Sequence, residues 1–364
     1  MPSSIKIFLL ILFLFTNFRA QTPVTTPPND DEPEKIFTEE IKLNVSAVDR
    51  SGKFIAGVKK EDLVIMEDGR LHQASSLRRI PANVLILLDT GGEMRVKKGF
   101  EQTKNTARNL INALSDEDSV AIMDYHDKVE IVAEWTNKEE ALKLLNARAN
   151  FGRRSVFTDA LETARKFLQK TPLENRHLVL ITDGTDTLND AAKRNAAMQN
   201  LLATDINVHV ISYTKMELTD IEPRTKGISK APKIEVMKPE IKATLPNGVR
   251  DVALASASIT INTDRAFLRK MRERKQNLLD GEKYLTRLAA DTNGEIVLPE
   301  SKEEMIEKTA LIAAIIDSSY VVTYVPKRPL SESKTGEVRD IEITSRRAGL
   351  QVQAKRKLIV KNEK

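Results

Sequence analysis

The sequence of 364 residues contains no cysteine, so it can form neither a disulfide nor a thiolate-ligated zinc site. Aromatic residues make up only 5% of the chain, and no basic stripe is interleaved with them, which argues against nucleic-acid binding. Gly91-Gly92 is not followed by the Lys-Ser/Thr of a phosphate-binding P-loop. The remaining composition, with 41% hydrophobic and 30% charged residues and a net charge of +5, is that of an ordinary globular protein.

The N-terminal region lacks a hydrophobic run as long as the roughly 20 residues that a spanning helix needs. Lys6, the apolar run 7–15 and the small residue Ala20 instead follow the order of a secretory signal peptide over residues 1–20. Residues 21–37 are rich in proline, threonine and acids, which predicts a flexible linker. We therefore expect an exported mature protein (secreted, periplasmic or in the cell envelope) that has no membrane span after signal cleavage.

Two kinds of hydrophobic pattern divide the mature chain. Residues 38–80 alternate apolar and polar side chains, as half-buried strands do, and residues 319–364 contain three further β segments. Residues 81–318 instead contain continuous apolar runs, which are typical of parallel strands buried on both faces, alternating with amphipathic helices. The predicted fold class is α/β: a doubly wound, mostly parallel sheet inserted in a β-sandwich that the N- and C-terminal strands form together.

Residues 215–280 interrupt the alternation of strand and helix. The segment is rich in lysine and proline, and we predict an insertion with short strands at most, followed by a basic amphipathic helix near residues 264–279. The run "RKMRERK" at 269–275 in this helix is interpreted as a solvated face. The helical pattern then resumes at "EKYLTRLAADTNG".

The stretch "VLILLDTGG", residues 84–92, is compatible with two chemistries. Asp-Thr-Gly after hydrophobic residues resembles the signature of aspartic proteases, which need two carboxylates that share one proton. A second Asp-Thr/Ser-Gly is not found, since "ITDGTDT" has the order Asp-Gly-Thr, and the first copy leads into an amphipathic helix rather than a strand. The protease interpretation is therefore disfavoured.

Oxygen ligands follow three separate strands of the predicted sheet. Asp89 and Glu93 follow the first strand, Ser155 precedes a helix in "GRRSVFTDAL", and Asp183 ends the run "HLVLITD". The carboxyl ends of parallel strands meet at one edge, where open α/β sheets bind ligands. Carboxylates and hydroxyls suit a hard divalent cation, which predicts Mg²⁺ or Mn²⁺, with Ca²⁺ as a third candidate.

The three loops "LLDTGGEM", "GRRSVFTDAL" and "LITDGTDT" resemble the motif loops of a von Willebrand factor A (VWA) domain. The flanking segments "SAVDRSGKFIAGVKKEDLVIMEDG", "LTRLAADTNGEIVLP" and "SYVVTYVP" are similar to the secreted bacterial VWFA-related Acidobacterial-type family. The resemblance implies an exported protein with a VWA domain between β segments. It also implies a metal-ion-dependent adhesion site, with Asp89 as its first aspartate, Ser155 in place of the usual threonine and Asp183 as its last aspartate.

The sequence departs from the family pattern at both serine positions, which Gly91 and Glu93 occupy. If Glu93 coordinates, the cation is better neutralised and attracts an acidic partner less strongly. If Glu93 does not fit, like-charge repulsion with Asp89 and Asp183 must be relieved by protonation or by turning outward. The alternative to such a modified metal site is a degenerate, metal-free site, retained because the strand-to-helix loop still needs small residues and caps. The sequence leaves both alternatives open.

The expected function is a non-enzymatic binding module for a protein or cell-surface ligand. The expected contact residues are Gly91, Gly92, Arg153, Arg154 and Thr185. One alternative is a structural envelope scaffold that has a metal-free site and binds through the insertion or the β-sandwich. A secreted metal-dependent hydrolase is the least favoured, since no general base can be named. The scattered histidines His126, His177 and His209 lack ligand spacing and are expected to be structural.

Overall fold

The computed structural model describes residues 39–92, 98–170, 172–188, 190–230, 259–355 and 357–360. The predicted signal peptide, the predicted linker, Glu93 and residues 231–258 of the predicted insertion lie outside these ranges. Within the described ranges, no helix is both long enough and apolar enough to cross a bilayer.

The described elements alternate between strands and helices over most of the chain. The strands are β1 (Ile41–Val48), β2 (Leu63–Glu67), β3 (Arg70–His72), β4 (Ala74–Arg78), β5 (Asn83–Asp89), β6 (Ser119–Tyr125), β7 (Val129–Thr136), β8 (Arg176–Ile181), β9 (Asn207–Ile211), β10 (Ile228–Lys230), β11 (Ile259–Ile261), β12 (Ile296–Val297), β13 (Ser319–Tyr324), β14 (Val338–Ser345), β15 (Gln351–Ala354) and β16 (Lys357–Ile359). The helices are α1 (Lys98–Ala113), α2 (Lys138–Arg148), α3 (Phe157–Lys170), α4 (Ala191–Leu202), α5 (Thr214–Ile221), α6 (Arg265–Asp291) and α7 (Lys302–Asp317).

A six-stranded sheet with the order β12-β9-β8-β5-β6-β7 forms the centre of the molecule. Its strands are parallel except for β7, which pairs antiparallel with β6. Both faces of the sheet are buried: on β5, Val84 and Ile86 pack into one hydrophobic cluster while Leu85 and Leu87 pack into the other. Helices α1, α2 and α7 cover the first face, and α3, α4 and α6 cover the second. The predicted doubly wound, mostly parallel sheet is confirmed.

The N- and C-terminal strands form two four-stranded antiparallel sheets that share one hydrophobic core. The first sheet has the order β15-β1-β13-β4 and the second the order β16-β14-β2-β3. Strand β1 pairs with β13, where Val45 lies opposite Tyr320, and β2 pairs with β14, where Ile65 lies opposite Ile343. The predicted β-sandwich of N- and C-terminal strands around the α/β sheet is therefore confirmed.

The helix predicted near residues 264–279 continues without a break to Asp291, so that the two predicted helical segments are one 27-residue helix, α6. The Asp264 carboxylate begins α6 by accepting hydrogen bonds from the N–H groups of Ala266 and Phe267. Gly281 weakens the helical pattern of the sequence, but in the structure it allows close packing. A Cβ atom at Gly281 would lie 2.6 Å from the carbonyl oxygen of Asp183, at the carboxyl edge of the central sheet.

Candidate functional site

The carboxyl edge of the central sheet contains a cavity of about 560 Å³. Asp89 ends β5, Asp183 follows the neighbouring strand β8, and Ser155 lies just before α3. All of the predicted site residues except Glu93, which lies outside the described ranges, line this one cavity. Helix α6 contributes further lining residues, which sequence reasoning did not assign to the site: Lys270, Glu273, Arg274 and Asn277.

The Asp89 carboxylate is almost fully buried and is held by two neighbours. Its Oδ1 accepts a hydrogen bond from the Gly91 N–H at 3.2 Å, and its Oδ2 accepts one from the Thr182 hydroxyl at 3.0 Å. The Thr182 hydroxyl in turn lies 2.7 Å from the Tyr125 hydroxyl. Burial, and secondarily the charge of Asp89, raises the pKa of Tyr125 well above its usual value, so this phenol stays neutral.

The Asp183 carboxylate forms an ion pair with Arg274 of α6. Its Oδ2 accepts a hydrogen bond from Arg274 Nη2 at 2.6 Å, while its Oδ1 accepts from the backbone N–H and the hydroxyl of Thr185 at 2.8 and 2.7 Å. The same Nη2 also reaches both carboxylate oxygens of Glu217 on α5, at 3.0 and 2.9 Å. Arg274 Nη1 donates to the Thr185 hydroxyl. The guanidinium group therefore connects α5, α6 and the loop after β8.

Sequence reasoning interpreted Arg274 as part of a solvated basic run, although one signal pointed the other way. Arg274 lies three residues after Met271 and four residues before Leu278, and both of those side chains are buried. Positions separated by three and four residues share one helix face, so Arg274 belongs to the buried side of α6.

Ser155 connects the loop between α2 and α3 to the loop that follows β8. Its hydroxyl donates a hydrogen bond to the carbonyl oxygen of Thr185 at 3.0 Å, and its backbone N–H donates to the Thr187 hydroxyl at 2.9 Å. The Thr187 N–H donates back to the Ser155 carbonyl oxygen at 2.9 Å. The hydroxyl expected to bind a metal ion therefore takes part in holding two loops together.

Gly91 occupies a position at which a side chain has no room. A Cβ atom built on Gly91 would lie 1.8 Å from the carbonyl oxygen of Arg154, which is a backbone atom. The loop that contains Ser155 thus closes over the place where the family pattern has a serine. Gly92 has a φ of +113°, a backbone conformation that favours glycine.

The described residues do not fit a divalent cation in this arrangement. The serine hydroxyl that the family pattern supplies at position 91 is missing, and the backbone of Arg154 prevents its introduction. The Ser155 hydroxyl is directed at a carbonyl group, and the Arg274 guanidinium lies on the Asp183 carboxylate. A metal ion at this edge would first have to displace the positive charge of Arg274.

A second group of potential metal ligands lies on the β6–β7 hairpin. Asp124, His126 and Glu130 each offer one ligand atom, and these atoms lie within 4.8 Å of one another. Burial raises the pKa of Asp124, whereas a hydrogen bond from Lys128 lowers the pKa of Glu130. Sequence reasoning treated His126 as scattered and missed this cluster. The signal that could have revealed it is the hairpin itself, which places residues 124 and 130 opposite each other.

Comparison with known proteins supports the domain assignment. Residues 84–185 match the family model of the von Willebrand factor type A domain, which confirms the domain recognised from the three motif loops. The more specific resemblance to the Acidobacterial-type family stays a prediction. No curated protein matches the chain.

Several solved structures are similar to the chain at low sequence identity. BatB, a conserved hypothetical protein from Bacteroides thetaiotaomicron, is 16% identical, with 64% of this chain and 98% of that chain covered and a TM-score of 0.38. A von Willebrand factor type A protein from Catenulispora acidiphila is 11% identical, with coverage of 88% and 74% and a TM-score of 0.42. The manganese-loaded TRAP protein from Plasmodium vivax is 16% identical, with coverage of 42% and 61% and a TM-score of 0.33.

Proposed function

We propose that this chain, which contains a von Willebrand factor type A domain, is an exported, non-enzymatic module that binds a protein or cell-surface ligand. The proposed site is the cavity at the carboxyl edge of the parallel sheet, the edge at which open α/β sheets bind ligands. Asp89, Ser155 and Asp183 form its polar floor. Their polar atoms form hydrogen bonds that hold neighbouring loops in place. Such a rigid surface is better suited to binding a ligand than to catalysing a reaction.

The observation that carries the proposal is the ion pair between Arg274 and Asp183. In a metal-ion-dependent adhesion site, a bound cation supplies the positive charge that receives an acidic group of the partner. Here the Arg274 guanidinium occupies the side of Asp183 that faces α6, at 2.6 Å. We propose that Arg274 replaces the metal ion as the resident cation, and that ligand binding at this edge does not require Mg²⁺, Mn²⁺ or Ca²⁺.

The exposed basic side chains at the cavity mouth suit an acidic ligand. Arg153, Arg154 and Lys270 are exposed there. The charged groups at the mouth also have partners within the protein: Asp186 accepts from the N–H groups of Thr158 and Leu188, Glu273 lies 3.9 Å from Arg269, and Arg154 Nε lies 3.3 Å from Asp127 Oδ1. Arginine matches the planar, two-oxygen geometry of a carboxylate well. We therefore propose that an acidic segment of a protein or surface polymer binds over the mouth, against Gly91, Gly92, Arg153, Arg154 and Thr185.

The envelope-scaffold alternative shares the metal-free site and differs in where the partner binds. The closed packing of Gly91 against Arg154 favours it as much as it favours the main proposal, because both need a site that is already satisfied. In the scaffold alternative, the β-sandwich or the insertion makes the contact, so changes at the cavity mouth have no effect on binding.

The test measures two kinds of binding to the chelator-treated mature protein. A fluorescein-labelled hexaglutamate peptide, with the hexaglutamine peptide as its neutral match, is titrated by anisotropy with and without EDTA. Mg²⁺, Mn²⁺ and Ca²⁺ are titrated separately by calorimetry. We expect binding of the acidic peptide that is insensitive to EDTA and about tenfold weaker in Arg153→Gln/Arg154→Gln, since two exposed charged contacts of about 0.7 kcal/mol each together contribute about 1.4 kcal/mol. Lys143→Gln/Lys166→Gln, which also removes two positive charges, from exposed positions on α2 and α3 that do not line the cavity, is the control.

Metal titrations separate the alternatives. We expect no calorimetric signal in the wild type that Asp89→Ala changes, and the appearance in Arg274→Gln of a signal that Asp89→Ala abolishes. A wild-type signal that Asp89→Ala removes, together with EDTA-sensitive peptide binding, would overturn the resident-cation proposal in favour of a live metal site. Peptide binding that the double variant leaves unchanged would move the binding surface to the β-sandwich or the insertion.

A further inference from the structure

The hairpin cluster of Asp124, His126 and Glu130 neighbours the Asp89 loop, since a Cβ atom at Gly91 would lie 3.2 Å from the His126 Cα, but it includes neither Asp89 nor Asp183. We propose that these three side chains form a second metal site, which binds a divalent transition-metal ion of the Zn²⁺ type. The three ligand atoms already lie within 4.8 Å of one another. One imidazole nitrogen and two carboxylate oxygens are a donor set that zinc accepts in proteins, with a solvent molecule completing the coordination.

The backbone of the hairpin brings the three residues together. Asp124 and Glu130 are register partners on the antiparallel strands β6 and β7, so their side chains share one face of the sheet. His126 is two residues beyond Asp124, which places it on that same face. The backbone N–H of His126 donates a hydrogen bond to the Lys128 carbonyl oxygen at 3.0 Å and closes the turn between the two strands. A rigid hairpin therefore presents the ligands with little conformational freedom to lose.

One buried polar atom in the cluster points to a ligand. Asp124 Oδ2 accepts a hydrogen bond from the Asn150 N–H at 2.8 Å, whereas its Oδ1 is buried without a hydrogen-bond partner in the part of the chain that the structure describes. The Asp124 side chain belongs to a residue that is only 1% exposed. Buried carboxylate oxygens are nearly always paired, and a cation is one way to pair them.

The two nitrogens of His126 face different groups. Nε2 lies 3.2 Å from Glu130 Oε2, inside the cluster, and Nδ1 lies 3.8 Å from Asp127 Oδ2, outside it. A histidine that binds a metal through one nitrogen commonly donates the other N–H to a carboxylate, which orients the ring. Asp127 is in place for that role: it accepts hydrogen bonds from the backbone N–H groups of Arg153 and Arg154.

Lys128 is the internal competitor for the proposed ion. Its ammonium group lies 2.8 Å from Glu130 Oε1, and its side chain is 67% exposed. Because the lysine can turn into solvent, a divalent ion can take over the Glu130 carboxylate. Removal of the lysine charge should therefore strengthen metal binding, which a merely structural role for the cluster would not predict.

The experiment titrates Zn²⁺ into the chelator-treated mature protein by calorimetry and records the visible absorption of Co²⁺ as a ligand-sensitive probe. We expect one Zn²⁺ per chain, loss of binding in Asp124→Asn and in His126→Gln, and affinity weaker by about tenfold in Asp127→Asn. Lys128→Met should bind more tightly than the wild type by several-fold. Asp89→Asn, which alters the sheet-edge site and none of the three proposed Zn²⁺ ligands, should leave the Zn²⁺ affinity unchanged.

Thermal unfolding in EDTA checks that each variant folds, and Zn²⁺ should raise the wild-type transition temperature, since a ligand specific for the native state stabilises it. Absence of Zn²⁺ and Co²⁺ binding to the folded wild type would overturn the proposal. Binding that survives in the folded Asp124→Asn/His126→Gln double variant would overturn it as well. Neither result bears on the sheet-edge site, whose own test uses the Asp89, Arg153 and Arg274 variants.

Discussion

The buried pair His177 and His209 shows how single residues set the chemistry of the central sheet. His177 Nε2 donates to Asn175 Oδ1, so its Nδ1 is the acceptor for His209 Nε2 at 3.0 Å. His209 Nδ1 then accepts from the Glu295 N–H at 3.2 Å. The chain of hydrogen bonds is complete only when both rings are neutral. Burial accordingly lowers the pKa of His177 well below its usual value and that of His209 to about 4.

This pair predicts acid sensitivity. Because the folded-state pKa of His209 is about 4, the unfolded chain takes up protons between pH 6.5 and 4 that the folded chain does not. The stabilisation by the neutral ring is present in full above pH 6.5 and is lost as the pH falls to 4. We expect the difference in unfolding free energy between wild type and His209→Gln to narrow by up to about 3 kcal/mol over this range. Urea unfolding of both proteins at several pH values measures this difference. Unfolding free energies of wild type and His209→Gln that change in parallel with pH would refute the prediction.

At the scale of elements, α6 links the candidate site to the rest of the fold. Leu285 and Leu288 pack into the hydrophobic cluster on the second face of the sheet, and Arg274 reaches Asp183 at its edge. Gly281 permits this close approach, since a Cβ there would meet the Asp183 carbonyl oxygen at 2.6 Å. One glycine that breaks a helical pattern in the sequence therefore positions the helix that carries the resident cation.

Gly281→Ala should thus destabilise the protein, although alanine is the better helix former. The intrinsic gain of about 1 kcal/mol is outweighed by overpacking against backbone, which costs about 1–3 kcal/mol. We expect a net loss of about 1 kcal/mol in unfolding free energy. Gln276→Ala, on the exposed face of the same helix, is the control. Its unfolding free energy should differ from that of the wild type by no more than about 0.5 kcal/mol. A Gly281→Ala variant as stable as the wild type would show that α6 can move away from the edge without cost.

At the scale of the whole molecule, Lys355 joins the β-sandwich to the α/β sheet. It follows β15, and its buried ammonium group donates to the carbonyl oxygens of Leu202 and Thr204, at the end of α4. A cation at this position compensates the unpaired carbonyl groups of the helix terminus. Burial nevertheless lowers the pKa of Lys355 to about 7.

The depressed pKa of Lys355 predicts a rise of stability with pH. Between pH 7 and 10.5 the unfolded chain holds a proton on this lysine that the folded chain has released, so unfolding becomes less favourable as the pH rises. We expect the unfolding free energy of the wild type relative to Lys355→Met to increase by at most about 1.4 kcal/mol per pH unit in this range. The control variant Lys357→Met, on the neighbouring strand, should show the same rise of unfolding free energy with pH as the wild type. A flat wild-type profile relative to Lys355→Met would contradict the prediction.

The sequence by itself determined the class of the fold. Continuous apolar runs such as residues 84–88 predict strands buried on both faces, and alternating segments at both ends predict a shared β-sandwich, because these patterns are local and periodic. The convergence of Asp89 and Asp183 was also predictable, since they follow the parallel strands β5 and β8, which end at one edge of the sheet. The expectation that Ser155 also follows a strand was wrong, because Ser155 lies in the loop between helices α2 and α3.

Only the tertiary structure decided what these residues do there. Arg274 lies 91 residues from Asp183 in the chain, and the backbone of Arg154 closes over Gly91 from a different loop. Ion pairs and steric closure depend on distances of a few ångströms between distant segments, and no local pattern of residues encodes such distances.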